Sequence, residues 1–218
     1  MRGPIEDQTR SASTRRSIVQ AAIHLYREIG HRKTTVADIA RSASMSSANV
    51  YRFFSSKQAL EEAVVAELLD EVTRAAAEAA HSGGPPLLRL AASLKTMADL
   101  NADRRVRDPR LHELLAVAAR ENWPIVLSHA DRIRGILRPI IAAGQAGGEL
   151  HGSSPMALTC CLLEAMEAYL SPSRISVATL RPSFDEMMSF CVAALRRASP
   201  AQSIDTAPEL RLRAVGQR

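Results

Sequence analysis

Residues 45 to 54 read MSSANVYRFF, and within them Asn49 and Arg52 are the side chains best suited to chemistry with another molecule. Their forked amide and guanidinium groups match adenine and guanine edges in the major groove of DNA. Ala48 is small enough to let a helix approach a groove or touch a thymine methyl. The Tyr51 hydroxyl can donate to a phosphate, and Ser46 and Ser47 supply hydroxyl and backbone N–H donors at a helix start, where anions are favoured. Three of the chain's eight aromatic residues, Tyr51, Phe53 and Phe54, crowd into the last four positions of the stretch.

No comparable set of residues points to catalysis. The sequence has no G-x-S-x-G, H-E-x-x-H, P-loop, G-x-G-x-x-G or paired CxxC motif. HELL at 112 to 115 lacks the second histidine of a zinc helix. Cys160, Cys161 and Cys191 are odd in number and two are adjacent, which suits neither a disulfide framework nor a zinc site. They are expected to be buried thiols in a reducing cytosol, and no metal or cofactor is expected. No uncharged apolar run reaches the roughly 18 to 20 residues needed to span a bilayer. The start MRGPIEDQTR carries acids where a signal peptide needs an apolar core, so the chain reads as a cytoplasmic protein.

Charge marks the same end of the chain. The net charge is +5, yet residues 1 to 57 hold ten Lys and Arg against four acids, a net of +6. All of the excess positive charge lies in the first quarter, as a phosphate-binding face requires.

The elements that must position these groups are helices. Apolar residues recur at helical spacing almost throughout, which predicts an all-α fold. Ile18, Ala22, Leu25 and Ile29 form one stripe, on a first helix ending near Gly30. Thr35 with Asp38 resembles a capping box opening a short helix over about 35 to 43. Ser46 or Ser47 can cap a second over about 46 to 54, and Ser55 or Ser56 a long one running to His81. SGGPP at 82 to 86 breaks the chain. Further helices are expected at about 87–102, 108–119, 122–146, 154–170 and 182–198, with Pro139 bending its helix.

Two short helices joined by a turn of about three residues make a helix-turn-helix. If Val50 and Phe54 face inward as an i, i+4 pair, steps of about 100° put Ala48 and Arg52 on the opposite face with Asn49 beside them. Tyr51 and Phe53 flank that face. Lys57 falls in the first turn of the long helix, where the macrodipole disfavours a cation, and an external phosphate would remove the conflict.

TTVADIARSASMSSANVYRFFSSKQAL resembles the DNA-binding segment of the TetR family of bacterial transcriptional regulators, through Thr35, Ile39, Ala40, Tyr51, Phe54, Lys57 and Leu60. Ser44 and Met45 depart from that pattern, which has Gly then Val; serine makes such a turn less easily if φ is positive. The polar, Pro-punctuated sequence from Ser199 reads as a mobile tail over 199–218, and the resemblance implies a helix-turn-helix DNA-binding domain over 14–56, behind a flexible arm over 1–13, and a helical regulatory and dimerisation domain over 57–198. It implies a ligand-responsive repressor that binds a near-palindromic operator in double-stranded DNA as a homodimer, with a small-molecule effector held in the body.

Leu158, Leu162, Ala165 and Tyr169 line one late helix, and Phe184, Met187, Cys191 and Leu195 the next; these stripes are the candidate dimer interface. Met97, His112, Trp123, His129 and Tyr169 are candidate pocket residues, each of which could equally fill a core. Two other readings compete: an architectural protein on the same head with no small ligand, and a transcriptional activator of the same family.

Overall fold

The computed structural model describes residues 4–152, 154–175 and 181–196, and every regular element among them is a helix. The tail expected over 199–218 lies outside the described residues.

The first helix, α1 (Pro4–Ile29), begins ten residues before the expected boundary at 14, so most of the expected flexible arm is helical. Proline suits a first helical position, because its missing N–H would have had no partner there. Side chains 8 to 13 are exposed, and Ile18 is the first to be fully buried. The helix ends at Gly30, whose left-handed φ of 88° lets its N–H return to the Tyr26 carbonyl at 3.0 Å.

Local capping sets the next elements. α2 (Val36–Ser42) opens on the capping box, with the Asp38 N–H donating to Thr35 Oγ1 at 3.2 Å and the Thr35 N–H to Asp38 Oδ2 at 3.0 Å. The Thr35 hydroxyl and N–H hold the Asp38 carboxyl below its ordinary range. α3 (Ser47–Phe53) is capped by Ser46, which accepts from the Asn49 N–H, and α4 (Lys57–Ala80) by Ser56, which accepts from the Ala59 N–H. Between α2 and α3, Ser44 takes φ 55°, the conformation that glycine adopts at lower cost.

The body consists of α5 (Pro86–Arg107), α6 (Pro109–Arg120), α7 (Pro124–Ala146), α8 (Pro155–Leu170) and α9 (Phe184–Arg196). Four of these five helices begin on proline, the residue that needs no partner at that position. α7 runs on through Pro139 as one helix.

Two apolar clusters hold the molecule together. The first joins Ile18, Tyr26, Ile39, Val50, Phe54 and Leu60 to Leu111, Leu114, Leu115 and Ala118 of α6 and to Trp123. The second joins Val72 and Ala76 to α5, α7, α8 and α9. α4 belongs to both, with Leu60 to Leu69 in the first and Val72 to Ala80 in the second.

The stripes expected to meet a second copy lie mostly in this second cluster. Leu162, Tyr169, Cys191 and Leu195 are buried inside the subunit, while Leu158, Phe184 and Met187 are half-buried against them; Ala165 is exposed. α8 and α9 are apolar on more than one side, so periodicity alone does not say which side turns inward. The outward side carries Met156 and, with 69% of its surface exposed, Phe190. Cys160 and Cys161 are exposed there, against the expectation of buried thiols, and only Cys191 is buried. No helix among the described residues is long and apolar enough to cross a membrane.

Candidate functional site

α3 presents the surface that its spacing predicts. Val50 is 1% exposed and Phe54 3%, so both anchor the helix from within. Ala48, Tyr51 and Arg52 are exposed on the far side, with Ser46 and Thr35 exposed at the two helix starts. Neither Tyr51 nor Arg52 makes a hydrogen bond, ion pair or ring contact among the described residues. Asn49 is less free: it is half-buried, and its amide leans on Met45 Sδ at 3.7 Å. Ser47 is half-buried, and half-buried Phe53 packs on the first cluster. A basic residue absent from the expected set, Arg15, lies over the Phe54 ring at 4.6 Å and fixes α1 against the end of α3.

Lys57 finds partners inside the protein rather than depending on an external phosphate. Its ammonium donates to the His31 carbonyl at 2.7 Å and lies 3.6 Å from Glu61, so the conflict with the helix dipole is relieved inside the protein. This pairing links residues 26 positions apart, which no local rule detects. An ammonium has three donors, and Lys57 is only partly covered, so one donor is left for an outside acceptor.

The head is tied to the body by polar contacts at the end of α1. Arg27 Nε donates to Asp108 at 2.6 Å, and Arg32 lies 3.6 Å from Glu113. Arg110 donates to the carbonyls of Arg27 and Glu28, placing a cation at the negative end of the α1 dipole. His31 is buried edge-on to Tyr26, and burial pulls its imidazole below the ordinary range.

The body contains a cavity of about 230 Å³ walled by α4, α5, α6, α7 and α8. Leu69, Met97, Leu115, Val126, Ile133 and Leu163 are among its apolar lining. Of the five candidate pocket residues, Met97 and His129 line it. The other three lie elsewhere. Trp123 is buried in the first cluster, with its indole N–H donating to Glu121 at 2.9 Å. Tyr169 donates to the Pro182 carbonyl at 2.6 Å and stacks edge-on with Phe184. His112 is half-buried; burial and the charges of Arg105 and Arg104 pull its pKa down, and its Nδ1 has no protein partner.

The polar lining residues Asn101, Arg134, Glu164, Glu167 and Ser171 had escaped sequence reasoning. One signal was available for Asn101, which follows Met97 by four positions and so continues a buried stripe as a polar residue. His129 Nδ1 lies 2.9 Å from Thr73 Oγ1 on α4. Burial pulls the His129 imidazole down to about 4, so the ring is neutral at ordinary pH.

Comparison with known proteins agrees with this architecture. The family model described as bacterial regulatory proteins of the TetR family matches residues 18–64, and the tetracycline repressor-like C-terminal domain matches 86–189. A TetR/AcrR-family regulator from Thermobifida fusca is 25% identical over 84% of this chain and 96% of its own, with a TM-score of 0.62. RolR, solved with resorcinol, is 17% identical over 89% of this chain and 91% of its own, with a TM-score of 0.58. AibR, solved with isovaleryl coenzyme A and operator DNA, is 15% identical over 84% and 97%, with a TM-score of 0.55. No curated protein matches the sequence. The chain belongs to the TetR family: it is a transcriptional regulator with a DNA-binding N-terminal domain.

Proposed function

We propose that the chain is a ligand-responsive repressor that reads a near-palindromic operator as a homodimer, acting in the cytoplasm. The observation that carries this reading is the outer face of α3, where Arg52 and Tyr51 have no protein partner among the described residues and Ala48 leaves room for close approach. Ser46 and Ser47 supply phosphate donors around it, with Lys57 contributing its remaining N–H, while Thr35 borders the face with its hydroxyl and N–H both given to Asp38. Asn49 and Phe53 border the contact from half-buried positions.

Two such faces related by a two-fold axis would meet major grooves about 34 to 36 Å apart. The outward sides of α8 and α9, with Met156, Ala165 and Phe190, are the apolar surface available to a second copy. Response to a ligand is supported by the position of the cavity: α4 forms part of its wall and also carries Leu60 in the core beneath α3. A coupling of about 1 to 3 kcal/mol between cavity and operator is enough to relieve repression.

Genomic footprinting with the purified chain tests the reading. Protection of discrete, two-fold-related half-sites is expected, and uniform binding to unrelated duplexes would refute it.

A further inference from the structure

The hydrogen-bond network around His129 fixes what its free edge can do. Thr73 has one hydroxyl proton, and it goes to the Leu69 carbonyl at 2.9 Å. The Thr73 oxygen is therefore the acceptor in its 2.9 Å contact with His129, and the imidazole proton sits on Nδ1. In a neutral ring that leaves Nε2 as a bare acceptor. No protein donor reaches it among the described residues, and the ring that carries it lines the cavity.

The rest of the polar wall has the same bias. Asn101 donates one amide N–H to the Leu170 carbonyl at 2.8 Å, and no donor among the described residues reaches its Oδ1. Glu164 and Glu167 add carboxylates without ion-pair partners among the described residues. The donors in the lining are partly engaged: one Arg134 N–H with Asp131 at 3.0 Å, one Asn101 N–H with Leu170, and the hydroxyls of Ser171 and Ser173 share a 3.0 Å contact in which either can donate. The cavity thus offers an apolar body with a bare acceptor at His129, and the exposed carboxylates of Glu164 and Glu167 along its lining disfavour an anion.

We propose that the cavity binds a compact, uncharged, largely apolar molecule bearing a hydroxyl or N–H group, whose hydrogen His129 accepts through Nε2. The inference rests on the reading of the chain as a ligand-responsive regulator. It also identifies the sensing residue, because His129 holds Thr73 on α4 through its other nitrogen. A donor bound at Nε2 polarises the ring and strengthens the Nδ1–H bond to α4.

Four naphthalenes of matched shape test the proposal by calorimetry on the full chain, with release of footprinted operator as a second readout. They are 2-naphthol, its methyl ether, 2-naphthoate and 2-naphthylmethylammonium. The naphthol is expected to bind about tenfold more tightly than the ether, which lacks the donor, and to be the tightest of the four. In His129→Phe the naphthol-to-ether ratio should fall to about one, and in His129→Gln, which restores an acceptor, it should recover. An ether that binds as well as the naphthol, a tighter ammonium or naphthoate, or no saturable binding of the naphthol overturns the proposal. So does a ratio unchanged in a folded His129→Phe. A chain that binds its operator but gives any of these results loses only the ligand assignment; a chain that binds no operator loses the regulator reading, whatever the titration shows.

Discussion

The outer face of α3 and the wall of the body cavity are both polar groups set on apolar helices, yet they treat their hydrogen-bonding capacity in opposite ways. On α3 a single seven-residue helix presents Tyr51 and Arg52 with no internal partner among the described residues. In the cavity five helices contribute, and His129, Asn101, Arg134 and Ser171 are each already held by a protein group. A long polyanion can be met by exposed side chains that settle on contact. A small molecule gives too little binding energy to order its own site, so the site must be fixed in advance.

If that contrast holds, disturbing the cavity costs folding and disturbing the face costs only recognition. The largest effect expected is the acid response of His129. Unfolded, this imidazole binds a proton below its ordinary value of 6.5; folded, it does so only near 4. The unfolded chain therefore holds more protons in that window, and stability should fall as pH drops from about 6.5 toward 4, by an amount on the order of 3 kcal/mol. Denaturant titrations at stepped pH should show this loss in the natural chain and a much smaller one in His129→Phe. Equal acid slopes would remove His129 from the buried network.

Arg52→Ala should do the reverse, costing about 2 kcal/mol on the correct operator and relaxing preference at one base pair, with stability within about 0.5 kcal/mol of the natural chain. Fluorescence anisotropy against operator variants checks it, and an equal loss on every sequence would contradict base reading.

Lys57→Met straddles the two regions. Losing a charge-assisted bond to the His31 carbonyl should cost roughly 1.5 kcal/mol of stability, and losing the remaining donor should lower the salt slope of DNA binding by about one. A stability loss with an unchanged slope would place Lys57 wholly among the internal contacts.

The smallest effect is at the turn. Ser44→Gly removes the strain of a left-handed φ of 55° and should raise stability by somewhat under about 1 kcal/mol, since glycine also loses more entropy on folding. A lower melting temperature would show that the serine side chain outweighs that strain.

The head was legible because its instructions are local. Thr35, Asp38, Ser46 and Ser56 cap helices within three residues of themselves, and the spacing of Val50 and Phe54 alone orients α3. Legibility ended where partners are distant. The His31 carbonyl that holds Lys57, the Thr73 hydroxyl that orients His129 and the Leu170 carbonyl that holds Asn101 lie 26, 56 and 69 positions away. The faces of α8 and α9 were ambiguous for another reason: both sides carry apolar residues, and only the packing of α5 and α7 shows that Leu162 and Cys191 turn inward while Phe190 turns out.

The place of α6 has a practical consequence. Leu111, Leu114, Leu115 and Ala118 come from the second half of the chain, yet they close the hydrophobic interior on which Ile18, Tyr26 and Leu60 depend. A fragment cut at Ser56 would keep the exposed face of α3 but lose Lys57, Leu60 and the floor beneath that face, exposing wet apolar surface prone to aggregation. The reading head is not a detachable module, and genetic fusions or minimal peptides built from it would need the later helices as well.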